Sequence, residues 1–151
     1  MSTAPVITTR PLAPTDRPAW DELWTGYCSF YETDLAPEIT EITWARFFDP
    51  AEPMAALVAT DGDRLVGLVH LVFHPSTWVA GTTCYLEDLF VIDAGRGRGV
   101  GRLLIEAAAD LARARGAERL YWLTHETNAT ARALYDRVAE RTGFIHYLRR
   151  P

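Results

Sequence analysis

Residues 65–73 read LVGLVHLVF, a stretch with no hydrophilic face to turn toward water. A surface strand alternates apolar and polar residues, whereas one covered on both sides does not, so this run is predicted as a central strand. An Asp-Gly turn between two apolar runs is a strong local signal, which ties it to residues 55–60 in a hairpin across Asp61-Gly62-Asp63. Residues 6–12 read as a first strand. Residues 16–30 follow as a helix on the spacing of Trp20, Leu23, Trp24 and Tyr27, and residues 38–48 as a second, entered through Pro37 and left before Pro50. Downstream come a strand over 82–92, a long helix over 99–115 ended by Gly116, a strand over 119–124, a helix over 128–141 and a last strand over 144–148. The order β-α-α-β-β-β-α-β-α-β mixes hairpins with two crossover helices. It implies an α/β architecture whose mixed sheet is covered on both sides.

No repeat or linker divides the chain, so residues 1–151 are read as a single domain. With 151 residues and 48% hydrophobic content it can bury about 70% of its unfolded surface and needs neither disulfide nor metal. Cys28 and Cys84 are expected as thiols rather than a disulfide. No apolar run reaches the roughly 20 residues of a membrane span, and MSTAPVITTR is not built like a secretory signal, so the expected compartment is the cytoplasm, with no membrane partner.

All 15 basic residues are arginine, which excludes a P-loop lysine, a Schiff-base lysine and a Ser-Lys dyad. No Gly-x-Ser-x-Gly is present, so serine hydrolysis is dropped. Charge is divided along the chain: residues 1–95 hold 4 Arg against 14 acids, and residues 96–151 hold 11 Arg against 6 acids. One part suits a cation and the other an anion. A pI near 5.3 and the lack of a basic stripe argue against nucleic acid.

The anion site is predicted at RGRGVG, residues 96–101, between a strand and a helix. Its glycines let backbone N–H groups approach a ligand, and the helix start adds about half a positive charge, so a phosphate or pyrophosphate is the natural occupant. A Rossmann fingerprint would open the fold and carry glycine at position 102, which is arginine here.

The surrounding stretch, YLEDLFVIDAGRGRGVGRLLIEAAADLARARG, resembles the acetyl-CoA-binding core of the GNAT (GCN5-related N-acetyltransferase) superfamily, whose signature is Arg/Gln-x-x-Gly-x-Gly/Ala. Arg96, Gly99 and Gly101 meet it. The resemblance implies a central mixed, mostly antiparallel sheet flanked by helices on both faces. It also implies that Leu89, Phe90 and Val91 hold the pantetheine of acetyl-CoA, and that Arg96, Gly97, Arg98, Gly99, Val100, Gly101 and Arg102 hold its pyrophosphate. Gly95 departs from the family, which usually places an aromatic there.

NATARALYDRV, residues 128–138, adds Asn128 at a helix start and Tyr135 seven residues on, about 10.5 Å along the axis and on nearly the same face. For an arbitrary helix these are an N-cap and a core aromatic. The resemblance instead implies that they complete the cofactor pocket, with Tyr135 donating a proton to the departing thiolate.

Glu87 and Asp88 interrupt an otherwise apolar strand, and an unpartnered buried carboxylate costs several kcal/mol, on the order of the transfer penalty for such groups. In a regular strand they point to opposite faces. YLEDLFV is similar to the polyamine and diamine acetyltransferase branch, which implies Glu87 as the general base and Asp88 as its reserve. The alternative is that both pair with core arginines. A primary amine is about one part in 2,500 neutral at pH 7, so a base has a defined task. Tyr27, Phe30 and Tyr31, followed by Glu32 and Asp34, form an aromatic-acidic cluster that suits an ammonium group, or simply packs a helix; His125 lines the site or stands on the surface. His70 and His74 are read with a turn or loop between them and with no third metal ligand.

These readings converge on an acetyl-CoA-dependent N-acetyltransferase without a metal, acting on a primary amine of a polyamine, amino acid or basic peptide. The LYDRVAERTGFIHY ending resembles the branch of yeast histone and D-amino-acid acetyltransferases. The alternatives are a CoA-sensing or scaffold domain without turnover, and a nucleotide-binding domain. The last strand, over 144–148, is expected to be buried and to leave one sheet edge uncovered, which implies a homodimer.

Overall fold

In the computed structural model, which describes residues 6–151, the apolar run lies at the middle of a five-stranded sheet. The strands are β1 (Ile7–Pro11), β2 (Met54–Asp61), β3 (Arg64–Pro75), β4 (Thr82–Val91) and β5 (Ala117–Tyr121), in the spatial order of their numbers. The first four pair antiparallel. β5 joins β4 in parallel, because a helix carries the chain across the sheet between them. The expected hairpin is present, with Asp61 opposite Arg64 and Gly62 in the left-handed region at φ 59°.

Two helices cover one face, α1 (Arg17–Phe30) and α2 (Pro37–Phe47). Trp20, Leu23 and Trp24 of α1 pack with Ala56, Val58 and Leu68 of the sheet. The third helix, α3 (Val100–Ala114), covers the opposite face and buries Val100, Leu104, Ile105, Ala108 and Ala112, one stripe at helical spacing. Gly67, next to Leu68 and pointing the other way, shows how closely α3 approaches. A Cβ there would lie 2.9 Å from Leu104 Cδ1 and 3.1 Å from both Val100 Cγ1 and the Phe90 carbonyl oxygen. The mixed, mostly antiparallel sheet with helices on both faces is therefore as expected.

The described residues divide into two compact units, one ending at Tyr121 and one running Trp122–Pro151. The second contains α4 (Ala129–Val138), which is shorter than predicted because Ala139 takes extended backbone, φ −149° and ψ 174°. β5 also stops early, at Tyr121.

The strand predicted over 144–148 is absent: residues 140–151 carry no helix or strand, and Phe144, Ile145, Tyr147 and Leu148 are each at least 70% exposed. Strand propensity in a five-residue segment is too small to hold it extended without a ladder to join. The expectation of burial fails with it. No helix of the described residues is long and apolar enough to cross a membrane.

Gly67→Ala forces a methyl group into the α3 interface and against backbone oxygen, so it should lower unfolding stability by about 1–3 kcal/mol. Urea denaturation followed by tryptophan fluorescence checks this, with an unchanged midpoint as the contrary result.

Candidate active site

β4 is not a regular strand. Against β3, Asp88 pairs with His70 and Leu86 with Leu71, so Glu87 is the extra residue of a β-bulge. Strict alternation predicted opposite faces for the two carboxylates, and the bulge overturns that: Glu87 and Asp88 both line one pocket of about 650 Å³. Trp24, Tyr27 and Tyr31 of the α1 segment supply aromatic walls, and Phe47 and Arg46 of α2 contribute on that side.

The two carboxylates have different surroundings. Asp88 Oδ2 lies 2.9 Å from His70 Nδ1, and Tyr27 lines the same pocket. Burial, followed by the Asp88 charge, pushes the Tyr27 phenol far above its ordinary value. Among the described residues Glu87 has no hydrogen-bond or ion-pair partner. Its carboxyl is raised above the usual range, first by the desolvating pocket wall and then by Asp88, with His70 pulling the other way. A carboxylate with raised proton affinity in a pocket is chemically suited to accept a proton.

The predicted substrate cluster is divided by the end of α1. Tyr27 and Tyr31 line the pocket, but Glu32 and Asp34 do not. The helix closes with Glu32 in the left-handed region at φ 51°, and both acids stand exposed beyond that reversal. His70 and His74 both belong to β3, which continues to Pro75, so no turn separates them. His74 Nε2 instead accepts from the Tyr121 hydroxyl at 2.8 Å.

Past the bulge, β4 runs on as Leu89, Phe90 and Val91, paired to β3 on one side only, because the ladder to β5 ends at Tyr85. Phe90 turns its ring into the α1 interface, 6.4 Å from Tyr27 and beneath Gly26. A short 3-10 turn, Asp93–Gly95, leads to the glycine loop. Gly95 is buried, and a Cβ there would lie 3.0 Å from Val91 Cγ1, so this chain has no room for an aromatic at the position.

Gly97 and Gly99 hold φ 73° and 76°, and Gly99 caps α3 without any side chain bonding to the first N–H groups of the helix. Those donors, with the helix dipole behind them, make an anion cradle that fits a pyrophosphate. The flanking arginines are placed unequally. Arg98 is held by Asp61 at 2.6 Å, Arg96 has Asp93 at 3.4 Å, and Arg102 is exposed. Val100 is buried beneath the loop, and Gly101 follows in the first turn of α3.

In the second unit, Asn128 is the N-cap of α4, its Oδ1 accepting the Ala131 N–H at 3.4 Å, and Tyr135 stands edge-on to Trp122 at 5.4 Å. His125 is exposed in the turn before that helix.

Residues 17–139 match the model of the acetyltransferase (GNAT) family. The chain is a GNAT-family N-acetyltransferase. It is 36% identical to the D-amino-acid N-acetyltransferase HPA3 of Saccharomyces cerevisiae, over 95% of this chain and 90% of that protein. It is 31% identical to an aminoglycoside N(6')-acetyltransferase type 1 of Klebsiella aerogenes, over 87% and 86%. Its fold superposes on AAC(6')-Iy, solved with a CoA-linked bisubstrate analogue, with a TM-score of 0.81 at 18% identity, covering 97% of this chain and 99% of that one.

Sequence reading of this acetyltransferase missed His70, Trp24 and Arg46 as pocket residues. The signal available was His70 itself, the one polar side chain in LVGLVHLVF. A histidine there requires partners for both nitrogens, and only the fold reveals which.

Proposed function

We propose that the protein transfers an acetyl group from acetyl-CoA to a primary amine by direct attack, with both substrates bound at once. The observation that carries this reading is the course of one stretch of chain. The amine-suited pocket at Glu87 and Asp88, the one-sided strand edge of Leu89 to Val91, and the anion cradle at Gly97 and Gly99 follow one another along it. Acetyl-CoA supplies the activated acyl group as a thioester. Backbone donors of Gly97 to Arg102 hold its pyrophosphate, with Arg96 and Arg98 adding counter-charge, and the free edge of Leu89, Phe90 and Val91 holds its pantetheine and polarises the acyl carbonyl. Glu87 takes the amine proton. Tyr135 protonates the departing sulfur, and Asn128 sets the start of the helix that carries it.

Tyr27, Tyr31, Asp88 and His125 receive the acceptor. Carboxylates set among aromatic rings suit an ammonium group, and the names of the yeast and Klebsiella relatives support a small amine. Arg46 on the pocket wall favours an amino acid, whose carboxylate it would bind, over a polyamine. The family match crosses from the first unit into the second, which supports one catalytic domain over 1–151. Two free thiols support a reducing compartment such as the cytoplasm.

CoA release with a panel of amino acids, polyamines, aminoglycosides and basic peptides tests the function. Turnover with at least one amine is expected, and CoA binding without release would leave a sensor domain. Gly99→Asp places a carboxylate at the pyrophosphate and should weaken CoA binding about tenfold or more with the fold intact; unchanged affinity would remove the cradle from the site.

Tyr135→Phe should bind acetyl-CoA normally and turn over about 10²-fold more slowly, and wild-type kcat would return Tyr135 to a packing role. Glu87→Gln should raise the pH needed for activity, whereas an unshifted pH–rate profile would exclude Glu87 as the base. Light scattering tests a homodimer in which a second copy covers the exposed Phe144, Ile145, Tyr147 and Leu148; a 16.9 kDa particle rejects it.

A further inference from the structure

We infer that His70 is a positioning residue for the acceptor-binding carboxylate of Asp88, and that Trp20 donates to its other nitrogen in the one tautomer able to do this. The inference rests on the acetyl-transfer reading of the pocket and adds to it the device that aims the amine.

The direction of the hydrogen bonds follows from what each group can do. An indole N–H only donates. Trp20 Nε1 lies 3.1 Å from His70 Nε2, so that nitrogen must carry a lone pair. Trp20 is wholly buried and His70 is 2% exposed, so no water competes for either atom. With Nε2 accepting, the imidazole proton sits on Nδ1, which is 2.9 Å from Asp88 Oδ2. The chain therefore runs from the Trp20 N–H to His70, and from the His70 Nδ1–H to Asp88.

The ring is also held sterically. Its centroid is 4.6 Å from that of Phe47 and 5.0 Å from that of Trp24, and turning it over would put carbon atoms against Trp20 and Asp88. A buried donor on the central strand β3 holds the Asp88 carboxylate, 13% exposed, in one orientation toward the pocket. Glu87, one residue earlier and without such donors, is free to move with the proton it accepts. The bulge thus yields one anchored carboxylate and one mobile one.

The test uses two polar replacements that keep different halves of the imidazole. His70→Asn retains an N–H near the Nδ1 position and can still donate to Asp88, whereas His70→Gln retains an acceptor near Nε2 and serves only Trp20. We expect His70→Gln to raise the amine KM about tenfold or more with the acetyl-CoA KM unchanged, and His70→Asn to restore most of the loss. A residue needed only for core packing would show no such order; equal effects, or rescue by Gln rather than Asn, overturn the inference.

Nitrogen-15 NMR of the substrate-free wild type gives an independent readout that does not depend on variants folding. The Nδ1–H tautomer is expected for His70 in the wild type and, because the Asp88 carboxylate can only accept, in Trp20→Phe as well, where the Nε2 resonance alone should change with the loss of its indole donor. A wild-type His70 protonated on Nε2 overturns the hydrogen-bond chain. Failure of the wild type to release CoA with any amine would instead remove the acetyl-transfer reading and leave that spectrum as it is.

Discussion

One extra residue in β4 decides which side chains share the pocket. Without the bulge at Glu87, alternation would send one of the adjacent carboxylates to the α3 face, into a core closed by Leu104 and Val100, where a charge has no partner. The bulge turns both toward α1 and α2. It is tolerated because the opposing strand offers His70 at the point of irregularity, a side chain able to satisfy Asp88 from inside an apolar sheet. Burial of β3 on both faces, the bulge and the paired carboxylates are therefore one structural commitment.

Much of the framework was legible in the chain. LVGLVHLVF required cover on both faces, the Asp-Gly turn set the hairpin, and the glycines at 97 and 99 marked a loop whose backbone is left-handed at both. These features depend on local chemistry: a two-sided apolar run, a turn dipeptide and residues without Cβ atoms. The terminal strand failed for the converse reason. Phe144 to Leu148 have suitable side chains, but a strand exists only where another strand offers hydrogen-bonding groups, and composition does not report that.

The site was legible in part, and the missing part is non-local. Tyr27, Tyr31, Glu87 and Asp88 could be named, yet their meeting in one pocket depends on register and on an irregularity that no residue of β4 announces. Trp20 and His70 are 50 positions apart; Trp20 read as one residue of an apolar helix stripe, and His70 was weighed only against His74. Glu32 and Asp34 looked equivalent to Tyr31 in sequence, but the chain reverses at Glu32, which is left-handed, and neither acid lines the pocket. Charge division along the chain is only partly reflected in the pocket: Glu87 and Asp88 of the acidic part line it, but so does Arg46, and Glu32 and Asp34 do not.

The glycine loop has a property that its geometry alone defines. Nothing lies within 4 Å of where a Cβ would stand at Gly97 or Gly99, so the requirement for glycine there is one of backbone handedness and not of space. L-residues pay a conformational penalty at φ near 75°, whereas their mirror images favour it. A chain assembled chemically with D-alanine at these two positions would keep the cradle while narrowing its freedom when empty. Stereochemistry, rather than size, sets the residue type at these two positions of the loop.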